Sequence, residues 1–123
     1  MFTGIVEEAG VVQAVTRRGK GWSLEVEVGS IVLGVKIGDS VAVNGCCLTV
    51  TEVKGKRLIF DLLDETKEKT NLQSAQVGTR VNLESSLRAD GKVGGHFVTG
   101  HIDGTASVLK WARSGEDWEL EAE

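Results

Sequence analysis

Asn44-Gly45-Cys46-Cys47-Leu48-Thr49-Val50-Thr51 concentrates side chains with chemical reach. Asn-Gly marks a tight turn, and the run that follows alternates as a strand does. Cys46, Leu48 and Val50 then share one face, and Cys47, Thr49 and Thr51 share the other. With the aliphatic face packed inward, a thiol and two hydroxyls line the outside of a sheet as a polar groove. The same residues can be read without function, Cys47 as a small buried hydrophobe and the threonines as ordinary strand formers. Spacing alone leaves the two readings open.

A second constellation, Gly94-Gly95-His96-Phe97-Val98-Thr99-Gly100-His101-Ile102-Asp103, holds both histidines. On a continuous strand a separation of five sends the two imidazoles to opposite faces, and no cysteine or third histidine lies near in sequence, which argues against zinc. No Walker A, GxGxxG, HExxH or GxSxG pattern is present. Asp64, Glu65 and Glu68 offer paired carboxylates, but a charged helical turn reads first as a solvated face.

These groups must be held by strands. Trp22, Leu24, Val26 and Val28 alternate with Ser23, Glu25 and Glu27, the signature of a half-buried strand. Further strand-like runs cover 4–15, 40–43, 46–53, 57–63 and 80–83, broken by Gly-containing turns such as Lys54-Gly55-Lys56. Six short strands predict a closed antiparallel barrel. Two segments read as helical connectors: a turn at 30–33 with Ser30 as its cap, and 64–70 with Asp64 as its cap.

Shifted by 96 positions, the chain meets itself. Thr3, Gly4, Val12, Arg17 and Gly19 fall on identical residues at 99, 100, 108, 113 and 115, and Trp22, Leu24, Glu25 and Glu27 on those at 118, 120, 121 and 123. Nine identities over the first 27 positions exceed the roughly two expected by chance. Residues 97–123 therefore read as the start of a second copy of residues 1–27, with 1–87 a first barrel and the Gly-rich 88–96 a linker. At this length the second copy is incomplete, and its two strands need something to pack on. Its His101 stands where the first copy has Ile5, a replacement that suggests a role the first copy lacks.

The 123 residues fill about one domain, with 41% hydrophobic and 26% charged residues, 16 Gly and no Pro. No apolar stretch approaches a membrane span and no secretory leader opens the chain, so the expected setting is the cytoplasm, where adjacent Cys46 and Cys47 stay reduced. A net charge of −4 and six aromatics exclude a nucleic-acid binder, which needs a basic stripe and stacking platforms.

Taken together, Met1 to Val6, Asn44 to Val50, Phe60 to Thr66, Thr70-Asn71-Leu72 and the two histidine-bearing runs 94–96 and 100–103 resemble the riboflavin synthase family along the whole chain. The resemblance implies two six-stranded antiparallel Greek-key barrels in tandem, of which this chain matches the first and the start of the second. It implies a transferase reaction, the last step of riboflavin biosynthesis. Two molecules of 6,7-dimethyl-8-ribityllumazine exchange a four-carbon unit to give riboflavin and 5-amino-6-ribitylaminouracil, with no metal or redox cofactor. The family binds one lumazine per barrel and pairs two between subunits of a homotrimer; a homodimer is the alternative for residues 1–123, and lumazine synthase is a further partner. Carried over by motif, Gly4, Ile5 and Val6, Cys47, Leu48 and Thr49, and Asp61, Leu62, Leu63, Asp64, Glu65 and Thr66 hold the first ligand. Gly100, His101 and Ile102 serve the second barrel. Cys47, Ser40 and His101 are the candidates for proton transfer and the nucleophilic step. The competing reading is a non-catalytic, antenna-type lumazine or flavin binder on the same barrel.

Overall fold

The computed structural model describes all of residues 1–123. Six strands, β1 (Glu8–Arg18), β2 (Gly21–Glu27), β3 (Ser40–Val43), β4 (Cys46–Lys54), β5 (Arg57–Leu63) and β6 (Arg80–Ser85), close into a barrel. Their order is β1-β2-β5-β4-β3-β6, every pair antiparallel. The β3–β4–β5 meander sits between β2 and β6, the Greek-key arrangement that the family resemblance implied for the closed barrel.

The barrel closes because each strand has one apolar side. Val12, Leu24, Val26, Val41, Val43, Leu58, Phe60 and Leu83 are completely buried, and removing each such side chain from water contributes about 1.5–3 kcal/mol. Gly10 lies where β1 crosses its neighbours. A Cβ there would come within 2.6 Å of Val26 Cγ1 and 2.8 Å of Leu83 Cδ1, so the crossing admits no side chain.

Several local expectations need correction. The first strand begins at Glu8 and not at Gly4, because residues 1–7 leave the barrel wall and cross its outside. Ser30 opens a 3₁₀ turn, Ser30–Gly34, without capping it. The Glu8 carboxylate supplies the cap from a distant strand, accepting from the N–H groups of Gly29 and Ile31. Asp64 opens helix α1 (Asp64–Lys69) without capping it either, since Leu63 holds the cap position. A further 3₁₀ turn at Asn71–Ser74 is capped by Thr70, whose hydroxyl accepts from Leu72 N.

Strands β7 (Val108–Ser114) and β8 (Asp117–Ala122) form a separate hairpin. It reproduces β1–β2 pair for pair: Val12 faces Val26 and Val108 faces Ala122, Arg17 faces Trp22 and Arg113 faces Trp118. Even the irregularity recurs, between Val12 and Ala14 in one hairpin and between Val108 and Lys110 in the other. Burial does not recur: Leu24 is covered, whereas Leu109, Trp111, Trp118 and Leu120 are all more than half exposed. Trp111 and Trp118 stack, centroids 5.2 Å apart. No helix is long and apolar enough to cross a membrane.

Candidate functional site

The turn at Asn44-Gly45 sets the site's geometry. Asn44 adopts φ 50° and Gly45 φ 79°, the pair of left-handed residues a two-residue hairpin turn demands. Asn44 is held there because its side-chain oxygen accepts from Asn82 N and its Nδ2 donates to Asn71. Beyond the turn, Cys46, Leu48 and Val50 enter the core while Cys47, Thr49 and Thr51 face outward, as the alternation predicted. Ser40 lies directly opposite Thr49 across the β3–β4 register.

Two segments cross the outer surface of the barrel at this point. Phe2 and Val98 exchange reciprocal backbone hydrogen bonds of 2.8 and 3.0 Å. They are equivalent residues of the 96-residue repeat, so a local two-fold relation runs between them. His96 N donates to Thr3 O at 2.9 Å, and Cys47 N donates to Gly100 O at 2.8 Å. Gly100 has φ +80°, and a Cβ there would lie 2.8 Å from Cys47 Cβ and 3.0 Å from the Phe2 ring. Glycine is required on both counts.

The result is a cleft of about 210 Å³ between the start of β4, helix α1 and the 100–102 segment. Cys47, Glu65, Thr66, Gly100, His101 and Ile102, all expected from the sequence, line it together with Cys46, Lys69 and Thr70. His101 is exposed at the cleft wall, its N–H donating to Thr99 Oγ1. Lys69 donates to Glu65 at 2.6 Å. That bond, reinforced by the charges, lowers the Glu65 carboxyl below its usual range and raises the Lys69 ammonium. The two thiols part company: burial first, then the neighbouring Cys47, pushes Cys46 up, so it stays protonated inside the barrel. No three His, Cys, Asp or Glu side chains converge to hold a metal ion.

The remaining expected residues lie outside this cleft. Gly4 and Val6 line a small apolar recess with Phe2, Ala42 and Val98, and Ile5 faces a polar hollow on the far side of the arm. Ser40 opens onto another hollow beside Lys36, Asp39 and Arg88. Leu48 and Leu62 point into the core, while Thr49, Asp61 and Leu63 are exposed. Asp64 is engaged by its own neighbours: Arg17 grips both its oxygens and Trp22 Nε1 donates at 2.8 Å. Arg17 and Lys67 also lie over the Trp22 ring, 5.2 and 4.6 Å from its centroid. The Arg17 bond, then the Trp22 bond, holds the Asp64 carboxyl below its ordinary 3.8. Sequence reasoning missed Arg17, Trp22, Lys69 and Thr70 as parts of this neighbourhood. The recurrence of Arg17 and Trp22 at Arg113 and Trp118 was the available signal.

A family model described as the lumazine binding domain matches residues 3–86. The riboflavin synthase of Bacillus amyloliquefaciens is 44% identical over 110 residues, 89% of this chain and 51% of the relative. The chain thus spans about half the length of the curated relatives it matches. Among solved structures, LumP complexed with 6,7-dimethyl-8-(1'-D-ribityl) lumazine superposes with a TM-score of 0.84 at 29% identity, covering 98% of this chain and 67% of that one. LumP complexed with riboflavin gives 0.82 at 29% identity, covering 98% and 65%.

Proposed function

The chain belongs to the lumazine-binding domain family, and from that premise we propose that it carries the first lumazine site of a riboflavin synthase. The observation that supports this reading most is the identity with riboflavin synthases over nine-tenths of the chain. The cleft suits the chemistry. A flat heterocycle with donors and acceptors along its pyrimidine edge meets backbone amides and carbonyls at strand ends, and a ribityl chain meets hydroxyls such as Thr66 in the cleft and, further along the outer face of β4, Thr49.

The reaction removes a proton from the acidified 7-methyl group of one lumazine, adds a nucleophile to the other, and passes four carbons between the rings. Holding the two rings face to face is worth about 7–11 kcal/mol, the largest single contribution. We assign Cys47, Ser40 and His101 to the proton transfers and the nucleophilic addition, His101 as the imidazole exposed on the cleft wall and Cys47 as the softest nucleophile. In this assignment Gly4 to Val6, Cys47 to Thr49 and Asp61 to Thr66 bind the first lumazine, and Gly100 to Ile102 face the second. Residues 97–123 begin the barrel that receives it. The same reading carries a cytoplasmic homotrimer, a homodimer for residues 1–123 by themselves, and association with lumazine synthase.

The competing reading is binding without turnover; LumP, solved with the same lumazine and with riboflavin, is 29% identical to this chain against 44% for a riboflavin synthase, which favours the enzyme. Incubation with 6,7-dimethyl-8-ribityllumazine separates the two. Slow riboflavin formation that rises with protein concentration, one molecule per two lumazines consumed, is the expected result, because residues 1–123 by themselves should be weakly active. Saturable binding with no riboflavin at any protein concentration would establish a binder instead.

A further inference from the structure

Glu84 is the one charged side chain that the fold buries, 7% exposed. Alternation along β6 sends Val81 and Leu83 into the core and sends Asn82 and Glu84 outward. Glu84 would therefore lie in water if nothing crossed it, and what crosses it is the arm of residues 1–7. Glu84 Oε1 accepts from Thr3 N and Thr3 Oγ1, both at 2.6 Å, and Oε2 accepts from Gly4 N at 3.1 Å. Three donors converge on two oxygens, a set that only an acceptor-only carboxylate satisfies. A glutamine in its place would aim N–H groups at N–H groups. Charge-assisted bonds of this kind are short and about twice as strong as neutral ones.

The residues so gripped touch the cleft at one remove. Thr3 accepts from His96, and Phe2 pairs with Val98. The Phe2 ring borders Gly100, whose carbonyl takes the Cys47 amide. A continuous run of contacts thus leads from Glu84 through Thr3, Phe2 and Val98 to Gly100 and His101.

We propose that Glu84 is a positioning residue that seats the arm and, through the Phe2–Val98 bridge, fixes the 100–102 wall of the cleft against Cys47. The proposal rests on the reading of that cleft as a lumazine site. It assigns Glu84 no contact with the ligand.

Amide exchange by NMR and riboflavin titration on the wild-type chain, Glu84→Gln and Thr3→Val test it. In Glu84→Gln the amides of Thr3 and Gly4 should exchange faster by about tenfold, and so should those of Val98 and Cys47 further along. Val26 and Phe60 in the barrel wall should keep their protection. Riboflavin should bind about tenfold more weakly, with lower anisotropy of the bound flavin at saturation. Thr3→Val keeps both arm amides on Glu84 and should show the same pattern at smaller amplitude, which also serves if Glu84→Gln fails to fold. Wild-type exchange at Val98 and Cys47, with only Thr3 and Gly4 accelerated, would overturn the proposal. So would an acceleration that includes Val26 and Phe60, because Glu84 would then act on global stability. If the wild-type chain does not bind riboflavin, the lumazine reading fails while the exchange pattern still decides the role of Glu84.

Discussion

Cys46 and Cys47 are chemically distinct although covalently adjacent, because one strand turns them to opposite sides of the barrel wall. Burial keeps Cys46 as a thiol, and only the thiolate attacks an electrophile. Iodoacetamide at pH 8 should therefore modify Cys47 in the folded chain and reach Cys46 only after denaturation, as read by peptide mass spectrometry. Modification of Cys46 first would contradict the burial argument. Thr49 points outward opposite Ser40, so its replacement leaves the core untouched. Thr49→Ala should weaken riboflavin binding by about 0.5–1.5 kcal/mol, the value of one neutral hydrogen bond. An unchanged affinity in fluorescence titration would remove Thr49 from the site. Residue types that alternate cleanly were legible in the sequence for this reason: with a period of two, the inward set Cys46, Leu48 and Val50 dictates the outward one.

Elements are joined by contacts that local sequence does not display. Helix α1 is pinned to the β1–β2 hairpin because Asp64 takes bonds from Arg17 and Trp22. Its folded carboxyl lies below the ordinary 3.8, so the pairing stabilises the folded chain above that value and is lost as pH falls through the depressed one. Denaturant midpoints of the wild type and Arg17→Met should therefore differ above pH 4 and converge in stronger acid; a difference that grows in acid would reverse the assignment. Gly10→Ala tests the barrel crossing. Its methyl meets Val26 and Leu83 below 3.0 Å, and overpacking of this kind costs about 1–3 kcal/mol. Urea unfolding measures it, and an unchanged midpoint would show that the crossing relaxes freely. Ser30 and Asp64 misled as caps because Ser and Asp are statistical capping types, whereas the carboxylate that caps the first turn comes from Glu8, 21 residues from Gly29 along the chain, and α1 has no side-chain cap. Asp64 had a stronger partner in three dimensions than in sequence.

At the scale of the whole molecule, the repeat was legible and its geometry was not. Identity at an offset of 96 foretold a second β1–β2-like hairpin, and the matching registers and bulge follow from it. No local pattern foretold that equivalent residues Phe2 and Val98 would pair with each other, because one bridge of two residues carries no periodicity. In the proposed synthase, residues 1–123 hold one complete barrel, so pairing two lumazines requires a second chain. Riboflavin formation per chain should rise with protein concentration and stay at least ~100-fold below that of a two-barrel riboflavin synthase. A concentration-independent rate equal to the two-barrel enzyme's would overturn the shared-site account. The Phe2–Val98 bridge also bears on synthesis. The barrel wall is complete once Ser85 has been made, but the cleft needs residues through Ile102. At about 5–20 residues per second, the nascent chain holds a finished wall for on the order of a second before its cleft can exist. The cleft is thereby completed by residues synthesised after the barrel wall, not by the wall itself.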